Sequence, residues 1–161
     1  MNIAHLHLAL NHFPIVGSVI VALMLVASLV RRSDELGKFA LALATLVGVL
    51  TLAVFFTGEP TEELVEHLPG FSESITERHE AIALIATIVV GALGAMAVGV
   101  LLSHRRRVLS RRLTAMALSL ALVASGIMGY TAFLGGQVRH AEVRPATATL
   151  SPGSVRGDDD H

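Results

Sequence analysis

Cysteine is absent from the chain, which removes disulfides, thiolate metal sites and cysteine nucleophiles together. Charge is also scarce. Only 16% of residues are Asp, Glu, Lys or Arg, and the formal net charge is -1, so nothing in the balance asks for nucleic acid as a partner. With 53% hydrophobic residues and a mean hydropathy of +0.66, the 161 residues are too apolar to cover an ordinary soluble domain. They read as one integral membrane domain. Such a bundle needs no disulfides, so the missing cysteines do not identify the redox compartment.

Four apolar stretches are each long enough to cross a bilayer as a helix of about 20 residues: 13–30, 39–57, 81–102 and 113–135. None of them contains Asp or Glu, which argues against a proton-coupled transporter. No Lys or Arg precedes the first run, and "RRSDELGK" follows it, so the first run is expected to stay as a helix and not to be a cleaved leader. Eight of the twelve basic residues fall in two segments, as Arg31, Arg32 and Lys38 after the first span and Arg105, Arg106, Arg107, Arg111 and Arg112 after the third. The segment between the second and third spans instead carries Glu59, Glu62, Glu63, Glu66, Glu73, Glu77 and Glu80 against Arg78 alone. The positive-inside bias then places both basic turns in the cytoplasm, and the acidic loop and both termini outside, on the periplasmic side of a bacterial inner membrane.

The expected fold class is all-α, an antiparallel four-helix membrane bundle over residues 1–140, followed by a polar tail at 141–161 that lacks apolar periodicity and is expected to be flexible. Within the acidic loop, Pro60 followed by "TEELVEH" suits a short helix, closed by "LPG". Small residues mark the expected helix contacts: Ala40, Ala44 and Gly48; Gly91, Ala95 and Gly99; Ala117, Ala121, Ser125 and Gly129.

Seven of the eight histidines lie on the expected outer side, His104 being the exception. His12 sits at the mouth of the first span, His79 just before the third and His140 just beyond the fourth, so the topology brings these three to one level. At about 100° per residue, His140 looks down Gly136, Phe133, Gly129, Gly126 and Leu122, a glycine groove, provided the fourth helix runs through Gly135 and Gly136. His79 looks down Ala83, Ala86, Val90 and Ala97, with Leu93 interrupting. His12 faces Val16, Val19 and Leu23. In "HFP", Pro14 belongs to a first helical turn or a kink, and Asn11 is an alternative cap.

Neutral imidazoles, an apolar slot and small residues suit a haem b, with Arg78 and Arg139 beside its propionates. His79 with His140 is the first choice of axial pair and His12 with His79 the second; a second haem would need His5 or His67. The same three histidines, joined by Glu59 or Glu80, suit copper or zinc instead. The plain alternatives are histidines closing the bundle mouth by hydrogen bonds, interfacial placement for His5, His7, His67 and His161, a topological role for His104, a solvated helix pair for Glu63 and His67, and simple packing for the glycines.

"LHLALNHFPIVG", "ERHEAIALIA" and "GYTAFLGGQVRHAEV" resemble, in order over residues 5 to 143, the conserved segments of domain of unknown function 2231, a family of bacterial membrane proteins. Gln137 stands where leucine is usual and Ala141 where glycine is, and the tyrosine before the last histidine is missing, while His140 keeps its place. The resemblance implies four transmembrane helices and an outward histidine cluster discussed as a haem site, without an assigned activity.

Three functional expectations follow: a membrane haem b protein passing electrons at the periplasmic face beside a larger redox assembly; a copper- or zinc-binding membrane protein; or a cofactor-free anchor subunit. The chain shows no nucleophile or base pair, so it is not expected to be an enzyme by itself.

Overall fold

The computed structural model describes residues 3–58, 60–62, 66–67 and 71–140. Among the described residues five helices have defined bounds: α1 (Ile3–Leu10), α2 (His12–Arg31), α3 (Asp34–Phe56), α4 (Glu73–Ser103) and α5 (Arg111–Arg139), and residues 60–62, within the expected short helix, are helical as well. The expected tail at 141–161, Glu59, Glu63, and the turn at 68–70 lie outside the described residues, as does the side chain of Arg139.

Each long helix follows from its apolar run and its caps. Ser33 caps α3 by accepting from the Leu36 amide at 3.3 Å, with Asp34 and Glu35 in the first turn, where the helix dipole favours negative charge. Ser110 caps α5 in the same way through the Leu113 amide, also at 3.3 Å. Between the two helices Asn11 keeps helical backbone angles, φ −61° and ψ −25°, and its amide bonds to the His7 carbonyl at 2.9 Å. Pro14 is buried in the first turn of α2, so α1 continues almost directly into α2. Of the readings of "HFP", the first-turn one is met, and Asn11 does not cap through its side chain, which makes no cap hydrogen bond.

The helices close a ring, α2 against α3, α3 against α4, α4 against α5 and α5 against α2, with α1 leaning on α2 and α3. All four long helices are apolar and long enough to cross a membrane. Their packing is the reverse of a soluble bundle. Alanines at 40, 44, 86, 97, 117, 121 and 124 fill the interior beside Val21, Leu25, Leu41, Val90 and Leu93, while Leu23, Phe39, Phe56, Ile88, Leu102 and Phe133 point outward. That arrangement suits lipid as the solvent: small residues let backbones approach, and large ones face acyl chains. Several hydroxyls inside the spans bond within their own helix, as in Thr51 to the Val47 carbonyl at 2.7 Å and Thr87 to the Ala83 carbonyl at 2.8 Å, which suits an interior without water.

Two expectations about contacts need correction. The α3 stripe Ala40, Ala44 and Gly48 is buried, and a Cβ on Gly48 would lie 3.3 Å from the Gly94 Cα. On α4, however, Gly91 and Gly99 meet nothing within 4 Å and Ala95 is exposed. The contact seam is Ala86, Val90, Leu93, Gly94 and Ala97. On α5 the seam leaves the expected line after Ala121 and continues through Ala124 and Met128, with Gly129 exposed. Both helices carry two small-residue stripes about 100° apart, and residue size alone cannot choose between them.

Candidate histidine site

Helix α4 starts at Glu73, eight residues before the apolar run, so His79 lies inside its second turn. Its ring packs against α5. A Cβ on Gly135 would come within 3.1 Å of His79 Cε1, so the glycine is what lets the imidazole lie on the helix. His79 Nδ1 is 3.1 Å from the Thr131 carbonyl oxygen. A carbonyl only accepts, so Nδ1 donates its proton and Nε2 keeps a lone pair.

His7 on α1 reaches the end of α3. Its Nδ1 lies 3.0 Å from Thr57 Oγ1. Thr57 spends its own hydroxyl proton on the Val54 carbonyl at 2.8 Å, so His7 Nδ1 is the donor and its Nε2 also keeps a lone pair. Both His7 and His79 are half-buried. The pattern in each case is an imidazole held through Nδ1–H, as ligating histidines are commonly held.

Acidic groups border the pair. The turn at 60–62, carried by Thr61 and Glu62 amides on the Gly58 carbonyl at 2.9 and 3.0 Å, brings Glu62 to Glu80 on α4. Their side-chain hydrogen bond, then burial, then the like charge of Glu80, hold the Glu62 carboxyl up at about 7, while nearby His79 pulls it down. Asn11 Oδ1, buried where α1 meets α2, accepts no hydrogen bond among the described residues.

The other residues singled out in the sequence are placed differently. His12 is exposed and turns its Nδ1 back along the chain, 3.2 Å from the Leu8 carbonyl at the end of α1, above the exposed Val16, Val19 and Leu23. His140 ends α5, with its amide on the Gly136 carbonyl at 2.9 Å, and is exposed. Gly126, Gly129 and Gly136 meet nothing within 4 Å, so these glycines border open space, on a face of α5 shared with the exposed Leu122 and Phe133. The column under His79, from Ala83 through Ala86, Val90, Leu93 and Ala97, instead turns to the bundle interior. Arg78 and His5 are exposed, and His67 stands out in solvent 3.2 Å from Glu66. Among the described residues no three His, Asp or Glu side chains come together as a metal-holding group.

His7 and Gly135 are the residues that the sequence reading passed over. His7 had a signal. It lies seven residues before Pro14, which lies seven before Val21 and fourteen before Ser28, and all three are buried. Positions seven apart share a helix face, so the inward face of α2 extends back to His7, whereas His12 shares its face with exposed residues.

The description "predicted membrane protein" of domain of unknown function 2231 (DUF2231) matches residues 4–143. No curated protein and no solved structure matches the chain. Four packed, membrane-length helices and a match over most of the sequence lead to one conclusion: this multi-pass membrane protein belongs to the DUF2231 family.

Proposed function

We propose that the protein is a small haem b protein of the bacterial inner membrane that passes electrons at the periplasmic face, beside a larger redox assembly. The observation that carries this reading is the hydrogen bond from His79 Nδ1 to the Thr131 carbonyl at 3.1 Å, which leaves Nε2 as a ligand. His7, held through Nδ1 at 3.0 Å from Thr57, is the second imidazole that the geometry favours. His140 keeps a claim through the open glycine face at 126, 129 and 136, which offers a flat apolar wall to a macrocycle. His12 is held only by a local bond to the Leu8 carbonyl, four residues back, and ranks behind both.

The donor set fits a haem better than a bare metal ion. A haem brings four of its own nitrogens and takes one or two imidazoles from the protein, whereas zinc or copper asks for three or four protein ligands, and no group of three is assembled among the described residues. When bound, the haem would supply one-electron redox chemistry. The residues of the chain would orient it: Thr131 and Thr57 fix the imidazole tautomers, and Gly135 gives the His79 ring its room.

The test is a dithionite-reduced minus oxidised absorption spectrum of the protein purified in mild detergent from cells supplied with haem precursor. A b-type difference spectrum at near one haem per chain is expected. A flat spectrum would remove the haem reading, and metal analysis of the same sample would then separate copper or zinc binding from a cofactor-free anchor.

A further inference from the structure

The end of the bundle opposite the histidines carries a second feature, independent of any cofactor. Two turns meet there. Asp34 Oδ1 accepts from the Leu109 amide at 2.6 Å, Lys38 Nζ donates to the Arg107 carbonyl at 2.8 Å, and the Asp34 and Lys38 side chains pair at 2.7 Å. This clasp joins residues about 70 apart in the chain and draws the two basic segments into one surface. Arg31 and Arg32 enter it from α2, while Arg105, Arg106, Arg107, Arg111 and Arg112 enter it from the α4–α5 turn, and all seven are exposed.

Asp34 is used up by the clasp. Among the described residues, Lys38 with Asp34 is the only ion pair at this end, so none of the seven arginines is ion-paired there, and exposed Glu35 is the one further carboxylate of these turns against them. Several also sit where local backbone physics disfavours them. Arg32 holds a left-handed cap at φ 53°, a position that glycine occupies at less cost. Arg111 and Arg112 open α5, where the positive end of the helix dipole repels cations. Apolar side chains alternate with the charges: Val108, between the arginine run and the buried Leu109, is 78% exposed, and Val30 next to Arg31 is 77% exposed. A surface with unpaired guanidinium groups above and bare aliphatic side chains below matches the boundary between phosphate headgroups and acyl chains.

We infer that the two clasped turns form a platform for the phosphate headgroups of anionic phospholipids in the leaflet at this end of the bundle. Guanidinium groups bind phosphate oxygens in bidentate fashion, and basic pockets between membrane helices are suited to acidic headgroups. Positive charge on these turns also orients a chain during insertion. Orientation depends on the number of charges, however, whereas the clasp and the lack of ion-paired arginines among the described residues govern what the charges face in the folded protein.

The experiment is a lipid titration of the full chain in mild detergent, followed by native mass spectrometry, with phosphatidylglycerol and phosphatidylcholine of identical acyl chains. Phosphatidylglycerol should bind more tightly by on the order of tenfold or more, and the preference should shrink as salt rises. Arg106→Gln with Arg107→Gln should weaken it by roughly thirtyfold, at about fivefold per arginine, and Arg106→Lys with Arg107→Lys should restore it to within about threefold. The lysine pair keeps the charges, so it also serves if the glutamine variant does not accumulate. Equal binding of the two lipids, wild-type binding by the glutamine variant, or displacement of phosphatidylglycerol by millimolar inorganic phosphate would each overturn the proposal, the last by assigning the surface to a soluble anion.

Discussion

A histidine becomes a candidate ligand through what holds its other nitrogen. His79 and His12 both donate Nδ1–H to a backbone carbonyl, yet the acceptor of His12 lies only four residues back along the chain, whereas that of His79 lies 52 residues away on α5, so the His79 ring is held by the bundle rather than by a local turn. His7 is held likewise by the end of α3. The carboxyl pair beside them yields a pH prediction at the same scale. Glu62 titrates at about 7 in the folded protein, above the ordinary glutamate range near 4.3. The folded state therefore holds the proton more tightly, and the stabilisation is full below the ordinary value and is lost as pH rises through about 7. Amide exchange in the 60–62 turn should accelerate between pH 5 and 8 relative to the bundle core, and Glu62→Gln should flatten that dependence. A turn equally protected at both pH values in the wild type would show that the two carboxyls do not share a proton.

At the scale of helices, contact distance rather than residue type decides the cost of a substitution. Gly48 and Gly94 pack backbone to backbone, with a Cβ on either lying 3.3 or 3.4 Å from the other's Cα. Neither backbone can give way without separating α3 from α4, so Gly48→Ala should lower stability by about 1–3 kcal/mol. Gly91→Ala should leave it unchanged or raise it by up to about 1 kcal/mol, because Gly91 meets nothing within 4 Å and alanine is the better helix former. Thermal unfolding in detergent compares the two variants, and equal losses would contradict the assigned seam. The number, type and order of the membrane helices were legible in the sequence because apolar runs and basic turns record them directly. The extra turns of α4 at 73–80 were not, since they are polar and owe their helix to contacts with α5 and the acidic turn. The choice between adjacent small-residue stripes was equally hidden, because it depends on rotation about each helix axis. His79 and its inward column could be read from spacing; its bond to the Thr131 carbonyl, an acceptor on a distant helix, could not.

Across the whole molecule, the two ends do different work. One end assembles half-buried imidazoles and a carboxyl pair over an alanine-lined interior, and the other gathers unpaired arginines over exposed aliphatic side chains. Between them the bundle is sealed by small residues and self-satisfied hydroxyls, with large apolar side chains turned to lipid. A division of this kind suits a protein held in a fixed orientation by headgroups at one face while a redox group works at the other. The most direct measurement is the haem content of purified His79→Ala beside the wild type and His161→Ala, by pyridine haemochrome assay on samples of equal helical content. The account predicts near one haem per chain in the wild type and in His161→Ala, and close to none in His79→Ala. Haem content unchanged by the loss of His79 would contradict it.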